Sequence, residues 1–161
     1  MEGDAENITG LFTPDSFDVV LCQGVLMYFP DPGPVLAALA EVLAPGGLLS
    51  LLVRNGDGLA MRPGLQGDWP SARAAFTGLE YGNRIGVSAR ADRRADLISA
   101  LAGHGLVVDA WYGVRVFTDT ADDDAEIPAE VEALLAVEER AGRTDPYRQV
   151  AALLHLCGVR G

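Results

Sequence analysis

The stretch from Phe17 to Val53 allows few folds. Phe17-Asp-Val-Val-Leu-Cys22 is a short apolar run behind the turn signal Thr13-Pro-Asp-Ser16, and it reads as a β-strand buried on both faces. Residues 23–29 leave that strand as a loop or short helix. Asp31-Pro32 then provides a helix start, with Asp31 as N-cap and Pro32 in the first turn. Val35, Leu36, Leu39, Val42 and Leu43 fall on one helical face. Ala44-Pro-Gly-Gly47 stops the helix, and Leu48–Val53 is a second buried strand. Strand, helix, glycine stop and strand in this order form a βαβ unit, whose crossover makes the two strands parallel.

Downstream, 92–104 reads as a helix with Ala95, Leu97, Ile98, Leu101 and Ala102 in phase, ended by Gly103 and Gly105. Residues 106–117 alternate as a third strand. Residues 127–141 read as a helix with Val131, Leu134, Leu135 and Val137 inward, and 150–159 as a last strand. The stretch 59–90 is of mixed character and is expected to be an insertion covering the mouth of the sheet. The pattern predicts one α/β domain over residues 1–161. Ligands of an open parallel sheet bind at the carboxyl ends of its strands, which singles out residues 23–29, 54–58 with Asn55, and 112–118 with Arg115.

The charge pattern narrows the function. The formal net charge is −11, and all 12 basic residues are arginine. Nine acids and no base lie between Asp119 and Glu139. The acidity is therefore largely one block, read as a solvated face and unsuited to holding a polyanion. No apolar run reaches the roughly 20 residues of a membrane span, and MEGDAENITG has no apolar core of a secretory signal. Cys22 and Cys157 lie far apart in apolar runs and read as buried free thiols of a cytoplasmic protein.

Several chemistries find no support. There is no G-x-S-x-G. Gly56-x-Gly58 is followed by Met61 where a dinucleotide loop needs its third glycine. His104 reads as a helix-end residue and His155 as a packing residue within a strand. No His, Cys and Asp cluster has metal-ligand spacing.

The run Ser16 to Phe29, then Asp31-Pro32, Val35 to Leu43 and Ala44-Pro-Gly-Gly-Leu-Leu-Ser50 resembles class I S-adenosylmethionine-dependent methyltransferases. It is similar to their fourth strand, the following helix and the Pro-Gly-Gly turn into the fifth strand. Further pieces resemble one family within that class, the tRNA 5-carboxymethoxyuridine methyltransferases. They are Asn55-Gly-Asp-Gly-Leu-Ala-Met61, Gly67-Asp-Trp69, Gly113-Val-Arg-Val-Phe117, Glu132-Ala-Leu-Leu135 with Glu138, and Asp145-Pro-Tyr147 with His155. The implied fold is the C-terminal portion of a Rossmann-like sheet, parallel strands plus an antiparallel last strand, with helices on its faces.

The resemblance implies S-adenosylmethionine as cofactor, its adenine against Asp4, Ala5 and Glu6 and its methionine part near Gln23, where relatives usually carry His. It implies a carboxylate acceptor, either the carboxymethoxy group of a tRNA wobble uridine or a small-molecule carboxylate. A carboxylate is already ionised at neutral pH, so a cation to orient it matters more than a base. Arg115 is the candidate for that cation, with an ion pair to the acidic block as its structural alternative. Asn55 is a candidate for positioning, and Tyr147 and Arg148 for holding the nucleotide. Arg73, Arg84, Arg90, Arg93 and Arg94 are the candidate RNA-facing patch.

No Gly-x-Gly-x-Gly precedes Ser16. The chain by itself is therefore expected to bind cofactor weakly and to be inactive, a non-catalytic module being the third reading. Its strand at 18–22 is expected to be an exposed edge that pairs with another copy.

Overall fold

The computed structural model describes residues 7–83, 85–121 and 125–161. Four strands build the main sheet: β1 (Phe17–Gln23), β2 (Leu43–Arg54), β5 (Leu106–Val114) and β6 (Leu153–Arg160), in the order β1-β2-β6-β5. β1 and β2 are parallel, with Leu21 opposite Ser50. β6 runs antiparallel to both its neighbours, which leaves β5 parallel to β2. The expected βαβ unit and antiparallel last strand are present.

After a short helix α1 (Ile8–Leu11), the crossover helix α2 (Gly33–Val42) buries Val35, Leu36, Leu39, Ala40 and Val42. Asp31 Oδ1 accepts the Gly33 backbone N–H at 2.9 Å, so the carboxylate satisfies a free donor of the first turn. The second strand starts earlier than its apolar run, because Phe17 pairs with Leu43 before the register shifts. Helix α5 (Arg94–Gly103) contributes Leu97 and Leu101. Together α2 and α5 cover one face of the sheet, where Cys22, Leu49, Leu51, Val53, Leu154 and Leu156 form the core.

The other face departs from the expectation of strands buried on both sides. Val19 and Leu21 on β1 are 53% and 67% exposed. Helix α6 (Val131–Arg143) packs on β5, but Leu135 and Val137, expected inward, are 59% and 52% exposed. Only Ala141 and Gly142 are buried on this helix, since contact is made through its C-terminal turn. A Cβ at Gly142 would sit 2.4 Å from the Gly113 carbonyl oxygen, so the approach requires glycine.

Residues 59–90 contain two short helices, α3 (Met61–Leu65) and α4 (Trp69–Ala74), and a hairpin of β3 (Glu80–Gly82) and β4 (Ser88–Arg90). The helix expected from residue 92 begins at Arg94, because Asp92 is drawn into a bridge with Asn55. Among the described residues no helix is long and apolar enough to cross a membrane.

Candidate functional site

The carboxyl ends of β1, β2 and β5 lie at one end of the sheet, as their common direction requires. Gln23, Asn55 and Arg115 therefore share that end of the sheet, with Gln23 and Arg115 at its two outer strands. Their roles differ.

Gln23 ends β1. Its Nε2 donates to the Ser50 carbonyl at 3.0 Å and to Ser50 Oγ at 2.9 Å. Ser50 Oγ in turn lies 2.7 Å from His155 Nε2, and the imidazole rests against Tyr112 with ring centroids 5.9 Å apart. A polar line thus crosses all four strands on the more open face, and His155 is a satisfied packing residue as expected. Gly24 follows at φ +67°, turning the chain away from the sheet.

Asn55 is completely buried. Its Nδ2 donates to the carbonyls of Gln149 and Ala151 at 2.9 and 2.8 Å, and its Oδ1 accepts the Asp57 N–H at 3.0 Å. These bonds leave no surface for a ligand, so the expected positioning role becomes an internal one: Asn55 pins the 149–151 segment to the end of β2. The neighbouring glycines serve the same packing. A Cβ on Gly58 would lie 2.8 Å from the Ala151 oxygen, which explains Gly56-x-Gly58 without a nucleotide.

Arg115 closes β5 at φ +59°, a left-handed conformation uncommon outside glycine. The following loop is held by one side chain. Glu138 Oε2 accepts the Val116 N–H at 2.8 Å, and Oε1 accepts those of Phe117 and Thr118 at 3.0 and 2.9 Å. Asp119, at 13% side-chain exposure, receives a two-pronged contact from Arg54 at 3.1 and 3.2 Å. Arg62 and Arg115 approach the same carboxylate at 3.8 and 3.7 Å. Arg62 also donates to the Asp119 carbonyl. Arg115 itself is half-exposed. The acidic block is thus only partly a solvated face: Asp119 and Glu138 are partly buried anchors of the Arg115 loop.

Arg54 and Arg62 were not among the sequence candidates. The available signal was an arginine directly after the apolar run Leu48–Val53, since a charge at the end of a buried strand needs a partner. Both line a cleft of about 370 Å³ roofed by α3 and α4, together with Gln66 and Tyr81. The Arg54 guanidinium lies 5.6 Å from the Tyr81 ring centroid. Burial pushes the Tyr81 hydroxyl above its usual range, opposed by Arg54.

Tyr147 and Arg148 part company. Tyr147 faces an open groove of about 880 Å³ beside α6, 6.4 Å from Phe117 between ring centroids. Arg148 forks onto Asp145 at 2.8 and 3.1 Å and stacks on Trp111 at 3.9 Å. That bond holds the Asp145 carboxyl below the usual range.

The candidate RNA patch is similarly dispersed. Arg90 pairs with Asp92 at 2.5 Å, Arg93 approaches Asp57 at 4.0 Å, and Arg94 lies 4.4 Å over the Trp111 ring. Arg84 lies outside the described residues. Burial raises the Asp92 carboxyl above its ordinary value, opposed by Arg90. Burial also raises both thiols, and Cys157 is only partly buried, against expectation.

Asp4, Ala5 and Glu6 lie outside the described residues. Of the residues expected around a cofactor, the structure therefore describes Gln23, whose amide nitrogen is committed to Ser50; the turn at Gly24 follows it. These fit one wall of a cofactor site. Among the described residues no three His, Cys, Asp or Glu side chains cluster as metal ligands.

Comparison with known proteins agrees with this architecture. Residues 1–51 match the methyltransferase domain family model. The chain aligns with an S-adenosylmethionine-dependent methyltransferase from Mesorhizobium loti over 99% of its own length and 68% of the other, at 19% identity and TM-score 0.61. It also aligns with Burkholderia thailandensis 1,6-didemethyltoxoflavin-N1-methyltransferase over 95% and 48%, at 17% identity and TM-score 0.52. The sheet and its flanking helices are those of a class I S-adenosylmethionine-dependent methyltransferase. In sequence the chain also resembles the tRNA 5-carboxymethoxyuridine methyltransferases. The Escherichia coli K12 protein of that name is 32% identical over 140 residues, 86% of this chain and 52% of the relative. The chain thus spans about half the length of the tRNA 5-carboxymethoxyuridine methyltransferases it matches.

Proposed function

We propose that this polypeptide serves S-adenosylmethionine-dependent methyl transfer to a carboxylate, and that the acceptor is the carboxymethoxy group of a tRNA wobble uridine. The observation that carries the reading is Arg115. It stands at the carboxyl end of β5, on a loop that Glu138 holds through three backbone N–H groups, at the same sheet end as Gln23. The 32% identity to the Escherichia coli enzyme supports the acceptor.

When bound, the cofactor supplies an electrophilic methyl group on its sulfonium. The tasks of the protein are alignment and exclusion of water. A carboxylate acceptor is ionised at neutral pH, so the site needs no general base, and a guanidinium fork suits the acid in a fixed plane. Arg115 orients the acceptor. Gln23 and the Gly24 turn would stand against the cofactor. Tyr147 offers an exposed ring for a base to stack on, while Arg148 supports Trp111.

A small-molecule carboxylate is the second reading. The net charge of −11 and the internal commitments of Arg90 and Arg94 favour a compact acceptor over a long RNA surface. Mass spectrometry of tRNA nucleosides from a deletion strain separates the two. Accumulation of the free 5-carboxymethoxy acid with loss of its methyl ester is the expected result. An unchanged set of wobble uridines would overturn the tRNA reading in favour of the small molecule.

A further inference from the structure

Among the described residues, three guanidinium groups converge on one carboxylate. Arg54 closes a fork on Asp119, and Arg62 and Arg115 stand within 4 Å of it. Among the described residues this assembly carries two positive charges more than negative ones; Asp122–Asp124 lie outside them and are not counted. Each guanidinium has five N–H donors and no acceptor, so donors outnumber the acceptor positions of Asp119. The Arg54 residue is only 9% exposed, and among the described residues its buried Nε has no hydrogen-bond partner. Buried polar atoms are ordinarily paired, and excess charge in a partly buried place is screened less than at the surface.

The assembly also has room beside it. Arg54 and Arg62 form a wall of the cleft of about 370 Å³ beneath α3 and α4. Two acids share that wall, Asp68 and Glu80. Asp68 accepts the Ser71 backbone N–H as the cap of α4, and Glu80 lies exposed on the β3 edge.

We propose that Arg54, Arg62 and Arg115 form an oxyanion site for the carboxylate of the methyl acceptor, with Asp119 holding the three cations together before the acceptor arrives. This rests on the carboxylate-acceptor reading above and adds to it two specificity-determining residues, Arg54 and Arg62. Asp119 and Glu138 act as positioning residues, the first through the cations and the second through the loop.

The site can be tested without cofactor. Acetate is titrated into this chain at constant ionic strength, chloride replacing acetate, and the Nε–H resonances of Arg54 and Arg62 are followed by nitrogen-15 NMR. Saturable shifts in the millimolar range are expected, weakened at least fivefold by Arg62→Gln and unchanged by the exposed control Arg73→Gln. Shifts in wild type no larger than those given by chloride would overturn the site, whatever the variants do, and so would an unaltered acetate curve in a folded Arg62→Gln protein. Because no methyl group is transferred, a negative tRNA analysis beside intact acetate binding removes the acceptor reading and keeps the site. Absent acetate binding beside a positive tRNA analysis does the reverse.

Discussion

Glu138 accepts the backbone N–H of Val116 at 2.8 Å across 22 residues of sequence. With Phe117 and Thr118 on its other oxygen, this carboxylate fixes the loop that presents Arg115 and Asp119. Removing an acceptor from partly buried donors leaves them unpaired. Glu138→Ala is expected to lower unfolding stability by about 1–3 kcal/mol, read from urea denaturation. The amides of 116–118 should then exchange with solvent markedly faster than those of β6.

Arg115 combines a charged side chain with a backbone at φ +59°. Glycine adopts that conformation without penalty, so Arg115→Gly separates the side chain from the turn. Its stability is expected to stay within about 1 kcal/mol of wild type. In the methyl-transferring protein, kcat/KM for the carboxylate acceptor should fall about a hundredfold or more, in line with losing an orienting charge. Equal turnover in the two proteins would remove Arg115 from the site.

Asn55 satisfies two carbonyls and one N–H while fully buried. Asn55→Asp replaces its donating nitrogen with an oxygen that faces the Gln149 and Ala151 carbonyls. A loss of about 3 kcal/mol or more is expected, with Asn55→Ala somewhat milder. Thermal denaturation measures both, and the contacts of 149–151 with β2 should be the first lost.

Asp92 carries a pH signature. Burial raises its carboxyl above the unfolded value of about 3.9, and Arg90 opposes that rise. A raised folded value means that the folded state binds the proton more tightly. The stabilisation from this group is full below the unfolded value and is lost as pH rises through the folded one. Carbon-13 titration of the Asp92 carboxyl should give a midpoint above the usual Asp range, and Arg90→Gln should move it higher. A midpoint at or below 3.9 would contradict the burial argument.

Among the described residues β1 is an edge strand, with Val19 and Leu21 exposed. Unpaired edges with apolar side chains template association with other chains. Sedimentation of this chain is expected to show concentration-dependent self-association, reduced by Leu21→Lys. A monomer over the whole accessible range would argue that the edge is otherwise protected.

Much of this architecture is legible along the chain because it is local. The period of Val35, Leu36, Leu39 and Val42, the Pro-Gly-Gly turn and the short apolar runs each specify an element through neighbouring residues alone. The parallel crossover follows from the connection between the strands. Burial was less legible. The periodicity of α6 marks Leu135 and Val137 as apolar without saying whether anything covers them, and they face outward.

The site divides along the same line. Dihedral preference and hydrophobic period, both carried by neighbouring residues, specify the elements, their order and the place of Arg115 after β5. That Asn55 is an internal pin, and that Arg54, Arg62 and Arg115 meet on Asp119 from 65, 57 and four positions away in the chain, emerges from the folded molecule. Those meetings arise from sheet pairing and loop closure. Charges brought together over such chain separations leave no periodic trace in the residues between them.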